Sequence, residues 1–186
     1  MNKRQKLTLI FSILAFIGIS LSSWALWTWS KQYRVSSYKN TAFGFSLKYP
    51  ASWALKENTL GVVVAFISPP ESALDIYQEN VNIVIQNLPP EKKISLEDYS
   101  EMAIKQLHAV FGQNITILES KPTYFLGKPA YQLVYLGRGP EAELKWMHVW
   151  TIIDSRAIQF TYSALSSRFD QYLSSVEKMI SSFRLK

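Results

Sequence analysis

Leu144-Lys145-Trp146-Met147-His148-Val149-Trp150-Thr151-Ile152-Ile153 is the stretch on which the fold turns. Successive side chains of a strand point to opposite faces, and here both faces end apolar: Trp150 and Ile152 on one, Val149 and Ile153 on the other. A strand with one wet face alternates polar with apolar residues, whereas one covered on both sides does not. The segment is therefore predicted to be a central strand with packing elements on both faces. Asp154-Ser155-Arg156 is a tight turn into a partner strand over residues 157–164.

Working outward, Phe43, Phe45 and Leu47 alternate with Gly44, Ser46 and Lys48, a half-buried strand stopped by Pro50, which has no N–H to donate. Residues 61–67 and 81–85 read as strands ended by Pro69-Pro70 and Pro89-Pro90, and residues 115–118 and 130–136 as two more, the latter following Gly127-Lys128-Pro129. Ser95 and Asp98 have capping-box spacing ahead of Leu96, Tyr99, Ala103, Leu107 and Val110, a helical stripe that Gly112 ends. Phe169, Tyr172, Leu173, Val176, Met179, Ile180 and Phe183 trace one face of a closing helix, with Ser167 and Asp170 as its predicted N-cap pair. The fold class is α+β: an antiparallel sheet of about six to seven strands sandwiched between helices, preceded by one N-terminal transmembrane helix.

Residues 7–30 contain no charge, and a bilayer core needs about 20 apolar residues. Lys3, Arg4 and Lys6 precede the run and are expected to stay in the cytoplasm, while Trp24, Trp27, Trp29 and Tyr33 form an interfacial aromatic belt. No A-x-A site ends the run. Residues 1–30 are read as an uncleaved signal-anchor, 31–40 as a polar linker and 41–186 as the folded domain, on the extracytoplasmic side (periplasmic, lumenal or cell-surface). The alternative is a signal peptide cut near Ser22 or Ala25.

Of 186 residues, 48% are hydrophobic and 18% charged, a composition that buries a core. The net charge is +6, but Lys3, Arg4 and Lys6 lie ahead of the apolar run. The rest carries no basic cluster beyond Lys92-Lys93, which excludes nucleic acid as a partner. The absence of cysteine excludes disulfides, a thiol nucleophile, thiolate metal sites and a lipidated cysteine.

The chain has two histidines, His108 and His148, where a zinc site takes three or four ligands. No G-x-S-x-G occurs, Gly137-Arg138-Gly139-Pro140 is a turn rather than a phosphate loop, and Glu141 and Glu143 read as a solvated edge. Asn114-Ile115-Thr116 matches a glycosylation sequon. No catalytic, metal or cofactor-binding residue is assigned, and the chain is read as a non-enzyme without cofactor. Two candidate surfaces remain. Trp146, His148 and Trp150 share one strand face, either as a ligand groove or as core under a helix. The other is the set of longest polar connections, residues 71–80, 89–93 and 138–143, the loops best placed to carry a binding surface, where Lys92, Lys93 and Arg138 can meet an acidic partner.

Phe43-Gly44-Phe45-Ser46-Leu47-Lys48-Tyr49-Pro50 with Trp53, Val81-Asn82-Ile83-Val84-Ile85, Ser95-Leu96-Glu97-Asp98-Tyr99, Gly127-Lys128-Pro129-Ala130-Tyr131 and the closing helix together resemble the PsbP and PsbP-like family, of Mog1/PsbP-like fold. The resemblance covers residues 38–186. It implies a sheet between helices and an extrinsic, non-catalytic protein on the lumenal or periplasmic side of a membrane. In photosynthetic organisms such proteins bind photosystem II near the oxygen-evolving centre or assist photosystem assembly. It places the family's manganese- and calcium-related role on no named residue. The long apolar run and the missing lipidated cysteine set the chain apart from the photosystem II subunit itself. The reading is a membrane-anchored PsbP-like module whose expected partner is a protein such as a membrane complex; the alternative is a small-ligand or lipid-binding extracytoplasmic module.

Overall fold

The computed structural model describes residues 34–59, 61–89, 91–138 and 142–186. The strands are β1 (Val35–Asn40), β2 (Phe45–Pro50), β3 (Ala54–Thr59), β4 (Val62–Ile67), β5 (Asn80–Asn87), β6 (Ile115–Phe125), β7 (Lys128–Arg138), β8 (Glu143–Ile153), β9 (Arg156–Leu165) and β10 (Arg184–Leu185). The helices are α1 (Leu96–Phe111) and α2 (Phe169–Ser182). Seven strands form one antiparallel sheet in the order β3-β4-β5-β9-β8-β7-β6, and β1-β2-β10 form a second of three. The expected α+β class holds, but the strand over residues 43–47 belongs to the small sheet. The predicted transmembrane helix lies outside the described residues, and among those described no helix is long and apolar enough to cross a membrane.

The central strand is covered on both faces. Met147 and Val149 of β8 enter a core with Val64, Phe66, Ile83 and Phe160 of the large sheet, Tyr38, Phe45 and Leu47 of the small sheet, and Val176 and Met179 of α2. On the opposite face Trp150, Leu133 and Tyr135 meet Leu96, Tyr99, Ala103, Ile104 and Leu107 of α1. Trp150 is 2% exposed, and its indole N–H donates to Ser100 Oγ at 2.9 Å, so burial leaves no donor stranded.

Several boundaries differ from the sequence reading. Residues 35–40 are not a linker: they pair with β2 from Val35↔Pro50 to Asn40↔Phe45, and only Tyr38 points inward, which makes an edge strand look polar. β3 was not read as a strand, because an edge strand carrying Lys56 and Glu57 shows little apolar alternation. β6 runs on through Pro122 because it is the other edge, where a missing N–H breaks no ladder. A register shift between Ile117 and Glu119 switches which face its side chains use. Leu126 and Gly127 (φ 56° and 68°), like Asp154 and Ser155 (φ 51° and 55°), both sit at positive φ, the geometry of two-residue hairpins whose twist matches their strands.

Ser95 caps α1 with the expected reciprocal bonds to Asp98. Val110, placed on the apolar stripe, is 69% exposed; Ile104 packs instead, because the stripe turns away before the last turn. The predicted Ser167 cap of α2 is absent: Arg168 occupies the N-cap in helical conformation, and its guanidinium, which has no acceptor to cap with, pairs with Glu71. The apolar stripe of α2 does pack as expected.

Phe183, just past α2, stacks on Phe45 at 4.9 Å and meets Phe125 edge-on at 5.3 Å, tying the helix to both sheets. Phe183→Ala is expected to cost about 3–5 kcal/mol by urea denaturation, and the exposed Val110→Ala to stay within about 0.5 kcal/mol.

Candidate functional site

The outer face of the large sheet is only partly roofed by α1, and the gap is a groove of about 310 Å³. Tyr99, Ala103 and Leu107 of α1 wall one side; Tyr135, His148 and Gln159 floor it, with Gln86 at its rim. These meet because His148 on β8 stands opposite Leu133 on β7 and Thr161 on β9, so adjacent strands present outward-facing residues side by side.

His148 is held at both ring nitrogens. The Gln159 amide donates to Nδ1 at 2.7 Å, with Thr161 Oγ1 at 3.2 Å. With Nδ1 accepting, the neutral ring carries its proton on Nε2 and donates to Tyr135 Oη at 3.1 Å. Burial pulls the His148 pKa down to about 4 and pushes the Tyr135 phenol well above its ordinary value. At neutral pH the floor therefore holds uncharged donors and acceptors between apolar walls, suited to hydrogen-bonding a neutral polar group. Among the described residues no cluster of three or more His, Asp or Glu is placed to hold a metal ion.

The sequence-predicted residues separate. His148 and Trp150 line the groove; Trp150 stacks on Tyr131 at 5.5 Å beneath α1. Trp146 lies outside it, stacked on Tyr135 at 5.1 Å. It can lie there because the next outward position on β7 is Gly137: a Cβ at that position would sit 2.7 Å from the Trp146 ring. Lys92 and Lys93 are exposed ahead of the N-terminus of α1. Arg138 lies beyond the helix's other end, donating its backbone N–H to Asn114 O and pairing with Glu143 at 3.5 Å. The 16-residue helix spans about 24 Å between these ends, so the three cations form no common patch. Glu141 lies outside the described residues, and His108 is exposed.

The β4–β5 connection, expected as a polar loop able to carry a binding surface, is a braced structure whose anchors and aliphatic tip sequence reasoning missed. Ser68 N–H donates to Glu79 O at 2.8 Å and closes its base, where the Glu79 carboxylate is fully buried and accepts from the Ser68 hydroxyl at 3.1 Å. Glu71 pairs with Arg168 and accepts from Tyr172 Oη at 2.8 Å and the Gln171 amide at 3.0 Å. Asp75 accepts the N–H groups of Glu71 and Tyr77 at 3.0 and 3.1 Å. This pinned loop lifts Leu74 and Ile76 into solvent, 88% and 66% exposed. The only signal in the sequence was the pair Leu74 and Ile76 set between Glu71, Asp75 and Glu79; the contacts that brace them are long-range.

A large antiparallel sheet with a helix on each face, backed by a small second sheet, defines a Mog1/PsbP-like α+β domain. The PsbP family model matches residues 33–185, and the chain belongs to that family. Among solved structures, cyanobacterial PsbP (CyanoP) from Synechocystis sp. PCC 6803 superposes with a TM-score of 0.62 at 21% identity, over 82% of this chain and 92% of that one. LpqN of Mycobacterium tuberculosis, involved in cell envelope biogenesis, gives 0.63 at 13% identity, over 82% and 91%. No curated protein matches the chain in sequence.

His148 yields a pH prediction. Its folded pKa of about 4 lies below its unfolded value, so the unfolded state takes up a proton first as pH falls. The stabilisation is whole above about pH 6.5 and is lost between there and about pH 4. His148→Gln, which keeps a donor and an acceptor, removes this dependence. Urea unfolding at several pH values should show wild type losing about 3 kcal/mol relative to the variant across that window.

Proposed function

We propose that the chain is a non-catalytic extracytoplasmic binding module, tethered by residues 7–30, that docks on a membrane protein complex through the loop at residues 68–79. The observation that carries this reading is the exposure of Leu74 and Ile76 on a loop fixed by the Glu71–Arg168 pair and by Glu79. A mobile loop can turn aliphatic side chains inward, whereas a braced one that holds two of them in water presents an interaction surface. The family match begins at residue 33, just past the uncharged run that ends at Ser30, so a tether would keep the domain beside a bilayer, with the loop at the end of α2 away from Arg34. Tethering raises the effective concentration of a modest contact near its target. A photosystem is the complex that the family resemblance brings forward; LpqN's part in cell envelope biogenesis shows that the fold alone does not name the partner.

A small-ligand or lipid-binding module is the second reading, favoured by the groove over His148 with its neutral hydrogen-bonding floor. The two separate experimentally. Full-length protein extracted from its native membrane in mild detergent is expected to co-migrate with a large complex, and Leu74→Asp with Ile76→Asp to release it while leaving thermal stability unchanged. A chain that runs as a monomer and melts higher with a small molecule would establish the groove reading instead.

A further inference from the structure

We propose that the face formed by the start of β1, the end of β2 and the last turns of α2 is a docking surface for anionic lipid headgroups. This rests on the tether proposed above. Arg34, Lys48 and Lys178 rim a depression of about 160 Å³ floored by Tyr49, Pro50 and Met179. No carboxylate lines it, and none of the three cations forms a salt bridge among the described residues.

The cations are brought together by fixed backbone. Ala51 N–H donates to Arg34 O at 2.8 Å, which sets Arg34 at the edge of the small sheet. Lys48 N–H donates to Ser182 Oγ at 2.9 Å, which latches the end of β2 to α2 one turn beyond Lys178. A helix C-terminus ordinarily repels an anion, but here its carbonyls are taken up internally. Arg184 donates to Ser181 O and Phe183 O at 2.7 Å, and the Ser181 and Ser182 hydroxyls donate to Lys178 O and Met179 O at 3.0 and 2.9 Å. These bonds occupy several carbonyls at the helix end, and the charged side chains that face the depression are Arg34, Lys48 and Lys178.

Position argues for the occupant. Residues 31–33 separate the uncharged run from Arg34, and four peptide steps reach at most about 14 Å. The headgroup layer of one leaflet is about 5–7 Å deep, so a tethered domain holds Arg34 at that layer or just beyond it. Cations there act within about a Debye length of the surface charge, 8–10 Å. An apolar-floored dimple with a cationic rim matches a lipid phosphate or sulfonate with its glycerol beneath.

The test uses the full chain in nanodiscs of neutral phosphatidylcholine, or of the same lipid with a third phosphatidylglycerol. Amine-reactive labelling is read at Lys48 and Lys178, with Lys92 and Lys93 on the α1 side of the sheet as internal controls. Labelling of Lys48 and Lys178 is expected to fall about fivefold in anionic discs, the effect of one basic residue near such a surface, and to recover in 0.5 M salt or with Arg34→Gln. The control lysines should not change. Equal labelling in both discs overturns the proposal, as does equal protection in neutral discs by inorganic phosphate alone, which would mark a free-anion site. A chain that elutes apart from both kinds of disc overturns the tether itself, and this surface with it.

Discussion

β8 belongs to two cores at once. Its even and odd residues point opposite ways, and its middle is buried on both sides: Met147 and Val149 against α2 and the small sheet, Trp150 against α1. A strand so placed cannot slip by one residue without exchanging its contents between two differently shaped interiors. That constraint fixes the register of β7 and β9 on either side, and through β9 that of β5. The helices are consequences. α1 lies where Leu133, Tyr135 and Trp150 need a cover, and α2 where the large sheet's other face meets Phe45 and Leu47.

How much of this was legible depended on burial. Residues 144–153 showed both apolar faces, and the α2 stripe from Phe169 to Phe183 packs as its spacing implied, because core residues must be apolar and periodic. The edges were hard to read. β1 buries Tyr38 alone, β3 carries Lys56 and Glu57, and β6 contains Lys121-Pro122, so none shows the alternation that names a strand. The Ser167 cap is not formed: the N-cap falls one residue later, at Arg168, whose side chain pairs with Glu71, distant in sequence.

The candidate site was half legible for the same reason. His148 between two tryptophans on one face could be read from the sequence, but its partners Tyr135, Gln159 and Thr161 come from neighbouring strands, and their register appears only in the folded sheet. The loop bearing Leu74 and Ile76 was legible as a polar connection able to carry a binding surface, but its bracing was not, since its anchors are long-range. Lys92, Lys93 and Arg138 stay apart because α1 stands between them. The chain thus has three separate surfaces: a groove under α1 on the large sheet, an aliphatic loop tip beside the start of α2, and a cationic dimple between the end of α2 and the small sheet.

Amide hydrogen exchange under native conditions tests the doubly covered strand most directly. Strands buried on both faces open only with the whole domain, whereas edge strands open locally at far smaller free energy. The account predicts that the β8 and β9 amides exchange at the rate of global unfolding, well behind those of β1 and β3. If β8 amides exchange as fast as those of β3, the strand is not the shared element of two cores, and the architecture described here is wrong.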